Sequence, residues 1–336
     1  MKKVWLCGVC ISLLAVGCTN TNSGGSEANN DSRADTPKEV ITSSTNDASK
    51  GELYNRIEQI SRAAQGRVGV AATVLETGES VALNAEQRFP MQSVYKFPIG
   101  MAVLAQVDQG KLKLEQKVRV EKSDFALQGQ HSPIRDANPQ GVELSLAELL
   151  KYMVSESDNT ACDVLLRLIG GPKVVTEYLR ELGVNGIVVA NTEKEMGQDK
   201  SVQYRNWATP ESAVVLLRAL HEGRGLSDSS QALLLRLMTQ TQTPTGLKRI
   251  KGLLPAGTVV AHKTGSSGTV NGVTAATNDV GLITLPNGKH LAVAVFVSDS
   301  TVNDAAREEV IARVARATWD EWIDTLRAKA TEILRS

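Results

Sequence analysis

The chain has 336 residues, enough to bury one large core or two modest lobes and too many for a minimal peptide-like module. Its 37 lysines and arginines equal its 37 aspartates and glutamates, and no long basic stripe stands out, so the electrostatic footprint of a nucleic-acid binder is missing. An enzyme-sized body with a small-molecule partner is the expectation.

Taken in chain order, Met1-Lys2-Lys3 and the apolar run 4–16 combine a short positive segment with a core too short to span a bilayer, and 1–17 reads as an export signal. The run closes on Ala15-Val16-Gly17-Cys18, which is similar to a bacterial lipoprotein processing site, where Cys18 receives lipid and becomes the mature N-terminus. Leu14 stands one position earlier than such sites usually place it, so cleavage after Gly17 without lipid is the alternative. Either way the protein is expected to be exported and periplasmic, meeting a membrane only through a lipid anchor. Residues 18–50 are dominated by small polar and acidic types that cannot offset their ordering entropy, and are read as a flexible tether to a domain spanning 51–336. Cys7 and Cys10 leave with the signal and Cys18 sits at the processing site, so Cys162 is the one cysteine of the folded body, without a disulfide partner and expected to be a buried small apolar residue.

Helical spacing of apolar residues over 53–64 is followed by a β-branched run at 68–75, a turn at Glu76-Thr77-Gly78-Glu79 and a return strand at 80–83. From Ser93 to about 240 the periodic segments are helical: 94–109, 145–155, 159–169, 172–182, 210–221 and 227–239, separated by Gly, Pro and Asp/Asn. The last third reads as strands at 258–262, 279–285 and 290–297, then a helix over 303–334. Strands at both ends with helices between them predict an α/β (α+β) fold of two lobes. An antiparallel sheet flanked by helices is built from both chain ends, about 51–90 and 241–336, and an all-helical lobe, about 91–240, is inserted. The cleft between lobes is the expected site, and a monomer the expected state. The four histidines are scattered, so the default for each is a surface or core residue, and no metal-ligand cluster and no cofactor are expected.

Three short motifs carry chemistry. In Ser93-Val94-Tyr95-Lys96 a three-residue interval at a helix start puts a hydroxyl and an amine on one face, and the amine can serve as the base that a serine nucleophile needs. Alone, this pattern is more often a helix cap with an exposed lysine. Ser157-Asp158-Asn159 lies between two helices, where its residues are also ordinary capping types. Lys263-Thr264-Gly265 ends a strand, with small residues from Ser266 onward, and its glycine lets a ligand approach the strand edge.

Each motif is common and the three in this order are rare. Together they resemble the signature of class A serine β-lactamases and penicillin-binding proteins. The resemblance covers the chain from about Leu53 to the last helix and is nearest to the branch containing the PER and VEB enzymes. It implies a Ser93 acyl-enzyme on a β-lactam substrate, with Lys96 holding or relaying the proton and Ser157 passing one to the departing ring nitrogen. The amides of Ser93 and Ser266 are implied as the oxyanion hole, and Asn159 as a partner of the substrate amide. Lys263, Thr264 and Gly265 are implied for the substrate carboxylate, with Arg249 as a helper. The deacylating base falls in Asn191-Thr192-Glu193-Lys194-Glu195-Met196-Gly197, at Glu193 or, failing that, Glu195. Two positions depart from the family: Gly197, where many relatives have an asparagine beside the hydrolytic water, and Asn206, where many have an aspartate paired with the preceding arginine. They imply a loop folded differently or more mobile, with turnover kept and substrate preference altered, toward cephalosporins as the PER-like resemblance implies. A D,D-peptidase and a sensor that acylates once are the rival readings, and a working Glu193 is what separates a hydrolase from both.

Overall fold

The computed structural model describes residues 44–241 and 243–333. The export signal, Cys18, most of the predicted tether and the last residue of the predicted C-terminal helix lie outside the described residues.

The first helix, α1 (Ser44–Ser61), begins inside the segment that composition marks as tether. Leu53, Ile57 and Ile60 bury one stripe of it, and a helix so anchored propagates toward its N-terminus at one hydrogen bond per residue, which a composition argument does not capture. Strands β1 (Arg67–Val74) and β2 (Ser80–Leu83) follow as a hairpin, then the two-residue β3 (Phe89–Pro90). The helical insertion opens with α2 (Lys96–Asp108), passes β4 (Lys117–Val120), α3 (Pro133–Ala137) and β5 (Val142–Ser145), and continues with α4 (Leu146–Val154), α5 (Asn159–Ile169) and α6 (Pro172–Glu181). A loop segment holds β6 (Ile187–Val188), α7 (Glu193–Gln198) and β7 (Trp207–Ala208) before α8 (Pro210–His221) and α9 (Asp228–Thr239). The chain then returns as β8 (Val260–Ser266), the small hairpin β9 (Thr269–Val270) and β10 (Val273–Thr274), β11 (Thr277–Thr284), β12 (His290–Ser298) and α10 (Asp304–Ile333).

The main sheet is antiparallel in the order β2-β1-β12-β11-β8, so the N-terminal strand β1 is sandwiched by pairing to the C-terminal strand β12. Alternation sorts its side chains into two cores. Val68, Val70, Ala72 and Val74 of β1 and Val293, Val295 and Val297 of β12 pack with Ile57, Val310, Ile311 and Val314 of the terminal helices. Ala71, Ala292, Ala294 and Phe296 face the other way and join a continuous core with Ile99, Leu104, Leu150, Leu165 and Leu217 of the inserted helices. Each of the Val, Leu, Ile and Phe side chains among them contributes ~1.5–3 kcal/mol when fully buried. Because both faces are covered, these strands read as unbroken apolar runs.

One strand differs from its predicted extent. β8 does not stop at His262 but runs through Lys263-Thr264-Gly265 to Ser266, paired in register with β11 from Val260↔Ile283 to Ser266↔Thr277. Lys263 is fully buried despite its charge, so polarity marks the start of a site here, not the end of a strand. Cys162 is buried, its thiol donating to the Tyr95 hydroxyl at 3.3 Å, and burial pushes its pKa well up, as suits a packing residue. Among the described residues no helix is long and apolar enough to cross a membrane.

Candidate active site

Ser93 lies in a 3-10 turn, Gln92–Tyr95, that leads into α2. The turn is clamped from outside: the buried Asn278 amide of β11 donates to Pro90 O (2.8 Å) and Met91 O (3.0 Å). β8 presses against the same turn at Gly265, where a Cβ would lie 2.4 Å from Met91 O and 3.0 Å from Val94 N. Only glycine allows that approach, which brings Lys263-Thr264-Gly265-Ser266 beside Ser93.

Lys96 is fully buried, and its ammonium sits among four oxygens. It donates to Ser93 Oγ (3.0 Å), Ser157 O (2.9 Å) and Asn159 Oδ1 (2.5 Å), and lies 2.9 Å from Glu193 Oε1. Ser157 has left-handed backbone (φ 59°), which turns its carbonyl toward Lys96. The strain is held by its neighbour: the buried Asp158 carboxylate caps α5 at Ala161 N (2.8 Å) and accepts from Ile134 N (2.7 Å) across the loop. Asp158 thus does the capping, and Ser157 is left for chemistry.

The Ser157 hydroxyl accepts from Lys263 Nζ at 2.9 Å, so its own proton is free to point into the cleft. Lys263 also donates to Thr264 O (3.0 Å). Burial, seconded by the positive charge of Lys96, pulls Lys263 from the ordinary 10.5 down to about 7. Thr264 Oγ1 stands 3.5 Å from Thr245 Oγ1 on the same wall.

Glu193 is the first residue of α7 and is buried. Its Oε1 faces the Lys96 ammonium but accepts no hydrogen bond of good geometry. Three contacts fix its backbone. Asp163 Oδ1 accepts from Glu193 N (2.8 Å), Asp163 Oδ2 accepts from Lys194 N (2.9 Å), and Gln130 Nε2 donates to Glu193 O (2.6 Å). Burial, then the neighbouring Glu193 charge, raises Asp163 to about 7. Glu195 is employed elsewhere. It closes a capping box with Thr192, accepting from Thr192 N at 2.8 Å while Glu195 N donates to Thr192 Oγ1 at 3.2 Å, and the backbone N–H of Thr192 holds its carboxyl below the ordinary range. Of the two glutamates, the geometry gives Glu193 to the cleft.

The two departures acquire physical content. At Gly197 a Cβ would meet the Gln130 side chain at 2.8 Å, so the glycine makes room for the amide that braces Glu193. Asn206, fully buried, accepts from Ala190 N (2.7 Å) and Asn191 N (2.8 Å) and donates to Asn191 O (2.9 Å). An amide offers both a donor and an acceptor, so one neutral side chain closes the loop.

Arg249 does not reach the cleft. Its guanidinium is buried, donating to Gly265 O (2.9 Å), Asn278 O (2.8 Å) and Ser266 Oγ (2.6 Å), with Glu308 3.5 Å away. The expected carboxylate helper is instead a brace under the strand, because the carbonyls of Gly265 in β8 and Asn278 in β11 and the Ser266 hydroxyl take up its donors.

Ser93 opens onto both halves of one cleft. One half is bordered by Asn159, Glu193, Gln130, His131 and Ser266. The other half is bordered by Ser157, Thr245, Thr264, Gly265 and Ser266, with His131 again at the divide. Gln130, His131, Asp163 and Thr245 escape sequence reasoning, since the first three act on distant backbone atoms and Thr245 faces Thr264 across a long sequence gap. The capping box was the one available signal, as Thr192-x-x-Glu195 is legible in the sequence and already occupies Glu195.

The family described as the Beta-lactamase enzyme family matches residues 52–322. The extended-spectrum β-lactamase PER-1 of Pseudomonas aeruginosa is 46% identical over 269 residues, covering 80% of this chain and 86% of that protein. The β-lactamase VEB-1 of the same species is 40% identical over 279 residues, covering 82% and 92%. A solved β-lactamase structure from Chitinophaga pinensis superposes with a TM-score of 0.78 at 48% identity, covering 80% of this chain and 98% of that one. This chain belongs to the β-lactamase enzyme family, in class A, on the branch of the PER and VEB enzymes.

Proposed function

We propose that this cleft opens the β-lactam ring through an ester on Ser93 and releases it with a water activated by Glu193. The observation that carries the reading is the contact of one buried ammonium, Lys96, with both Ser93 Oγ and Glu193 Oε1. When the Lys96 proton moves to Glu193, the amine left behind accepts the Ser93 proton and the oxygen attacks the lactam carbonyl. The amides of Ser93 and Ser266 receive the negative oxygen. The ring C–N bond breaks as Ser157 gives its proton to the nitrogen, and Lys263 is 2.9 Å away to stabilise the hydroxyl oxygen. The Ser93 proton held on Lys96 passes to the Ser157 oxygen and the Glu193 proton returns to Lys96. The Glu193 carboxylate then takes a proton from water, whose oxygen attacks the ester, and that proton goes to the departing Ser93 oxygen. Asn159, whose Oδ1 is held by Lys96, presents its amide nitrogen to the substrate side chain. Lys263 and Thr264, next to Gly265, receive the substrate carboxylate, and Arg249 acts through the strand carrying Ser266.

The similarity to an extended-spectrum relative supports cephalosporins as well as penicillins as substrates, and resistance as the biological outcome. A time course of nitrocefin hydrolysis, with the protein's mass followed in parallel, tests the reading. Sustained turnover with little adduct is expected; a single burst leaving a stable adduct would instead make the protein a penicillin-binding or sensing protein. Export under the leader 1–17, with a lipid on Cys18 and a monomeric body held off the membrane by the residues after it, is part of the proposal. Fatty-acid labelling of wild type, lost in Cys18→Ser, is expected for the lipid; equal labelling of both would reject it. The monomer is tested by light scattering on the solubilised protein.

A further inference from the structure

Away from the cleft, two of the histidines that are scattered in sequence meet. Glu76 lies in the turn after β1, His221 ends α8 and His290 begins β12. His290 Nδ1 is 2.8 Å and His221 Nε2 3.7 Å from the same oxygen, Glu76 Oε1, and the two imidazole centroids are 4.3 Å apart. One ligand atom from each residue lies within 4.8 Å of the other two. None of the three borders the Ser93 cleft. Scattered in sequence, the pair comes together because α8 packs on β12 and carries His221 onto His290.

Ligand atoms around a tetrahedral zinc ion sit ~2.0–2.2 Å from the metal, hence roughly 3.3 Å from one another. The separations of 2.8 and 3.7 Å straddle that value, and side-chain torsions of the partly exposed imidazoles close the remainder. The frame is fixed without the ring-to-carboxylate contacts. Leu75 N donates to His290 O (2.8 Å), and Arg218 of α8 donates to Leu75 O (2.8 Å). The Glu76 carboxylate is further oriented by His290 N (2.9 Å to Oε2), the kind of supporting bond that steadies metal ligands. Side-chain exposures of 27–33% leave a face open to solvent for entry and for a water ligand. Two imidazoles and one carboxylate suit zinc and its neighbours and offer too few oxygens for calcium or magnesium.

We propose that Glu76, His221 and His290 form a three-ligand site for a divalent transition-metal ion of the zinc type, pinning the β1–β2 turn to the end of α8 and the start of β12. The site is independent of the hydrolase reading.

The test is calorimetric titration of the purified full chain, stripped of metal, with ZnCl2, together with thermal unfolding with and without the ion. One zinc per chain is expected at this site, with a raised Tm that EDTA reverses. The His221→Ala/His290→Ala double variant loses that equivalent, and Glu76→Gln weakens it by about tenfold or more. Zinc held by cysteines elsewhere in the chain persists in these variants and is subtracted. Nitrocefin hydrolysis in EDTA stays equal to wild type in all of them, so failure of this site and failure of the hydrolase reading are distinguishable. Absence of zinc binding, or identical stoichiometry and affinity in the double variant, overturns the proposal. Should the double variant not fold by circular dichroism, Co(II) added to wild type decides, since four-coordinate cobalt absorbs intensely in the visible and lack of that band rejects the site.

Discussion

Lys96 Nζ lies 2.9 Å from Glu193 Oε1, with side-chain exposures of 0% and 6%. A buried ion pair of this kind is a poor source of stability, because desolvation offsets the attraction, but it keeps a proton within one transfer of Ser93. Glu193→Gln keeps the shape and removes the base. The expected result is a fall in kcat of about 100- to 10,000-fold, with an acyl adduct accumulating in the mass spectrum. Unchanged turnover would assign the water-activating role to another group.

Lys263 titrates near pH 7, because burial and Lys96 disfavour its charge. Below that pH the free enzyme offers a cation to the substrate carboxylate; above it the amine is neutral. The kcat/KM of a carboxylate-bearing β-lactam is therefore expected to fall as pH rises through about 7, and Lys263→Arg to lack that limb. The stability consequence has the opposite sense. Between about 7 and 10.5 the unfolded chain holds a proton here that the folded chain does not, so this residue's contribution makes folding more favourable as pH rises. Alkaline kinetic profiles of both proteins check the first statement and denaturation midpoints the second.

Gly197→Asn restores the residue that many relatives carry, yet here it drives a Cβ into Gln130, 2.8 Å away. The displaced amide can no longer brace Glu193 O. Deacylation is expected to slow by about tenfold, within the range that misplacement of a catalytic group produces. Gln130→Ala, which removes the brace without a clash, is expected to slow deacylation to a similar extent, and adding Gly197→Asn to it is expected to cost little more, as presteady-state kinetics would show. Equal rates for wild type and Gly197→Asn would mean that Gln130 does not position Glu193.

Arg249→Ala separates a brace from a substrate contact. Removing a buried cation whose partners include Glu308, Gly265 O and Asn278 O is expected to cost about 3–5 kcal/mol. The Tm should drop accordingly, and kcat/KM should fall equally for β-lactams with and without a carboxylate. A loss confined to KM of carboxylate-bearing substrates would return Arg249 to the carboxylate site.

The elements with a long period or a strong cap were legible. Helices 159–169 and 210–221 stand where spacing puts them, because Asp158 and Thr209 cap their first turns. Two-residue strands such as β3, β6 and β7 have no period to display. The length of β8 was hidden because a buried lysine reads as a surface residue until the ammonium's partners are known. The motif residues Ser93, Lys96, Ser157, Asn159, Lys263 and Thr264 converge as their order suggests. Arg249 could not be placed, since its partners are backbone carbonyls that carry no sequence identity, and Gln130 could not be found, since its target is the carbonyl of Glu193 on another element.

The pairing of β1 with β12, from Arg67↔Ser298 to Val74↔Leu291, has a consequence in time. During synthesis the first strand waits for nearly the whole chain, because its central partner is the last strand to be made. Such a non-local closure is slow and cannot be rehearsed by a partial chain. Until the residues near Ser298 emerge, β11 and β8 lack the strand that joins them to β1, and Lys263 has no sheet to carry it to Ser93. A nascent or truncated chain therefore stays unfolded at its sheet and chemically silent.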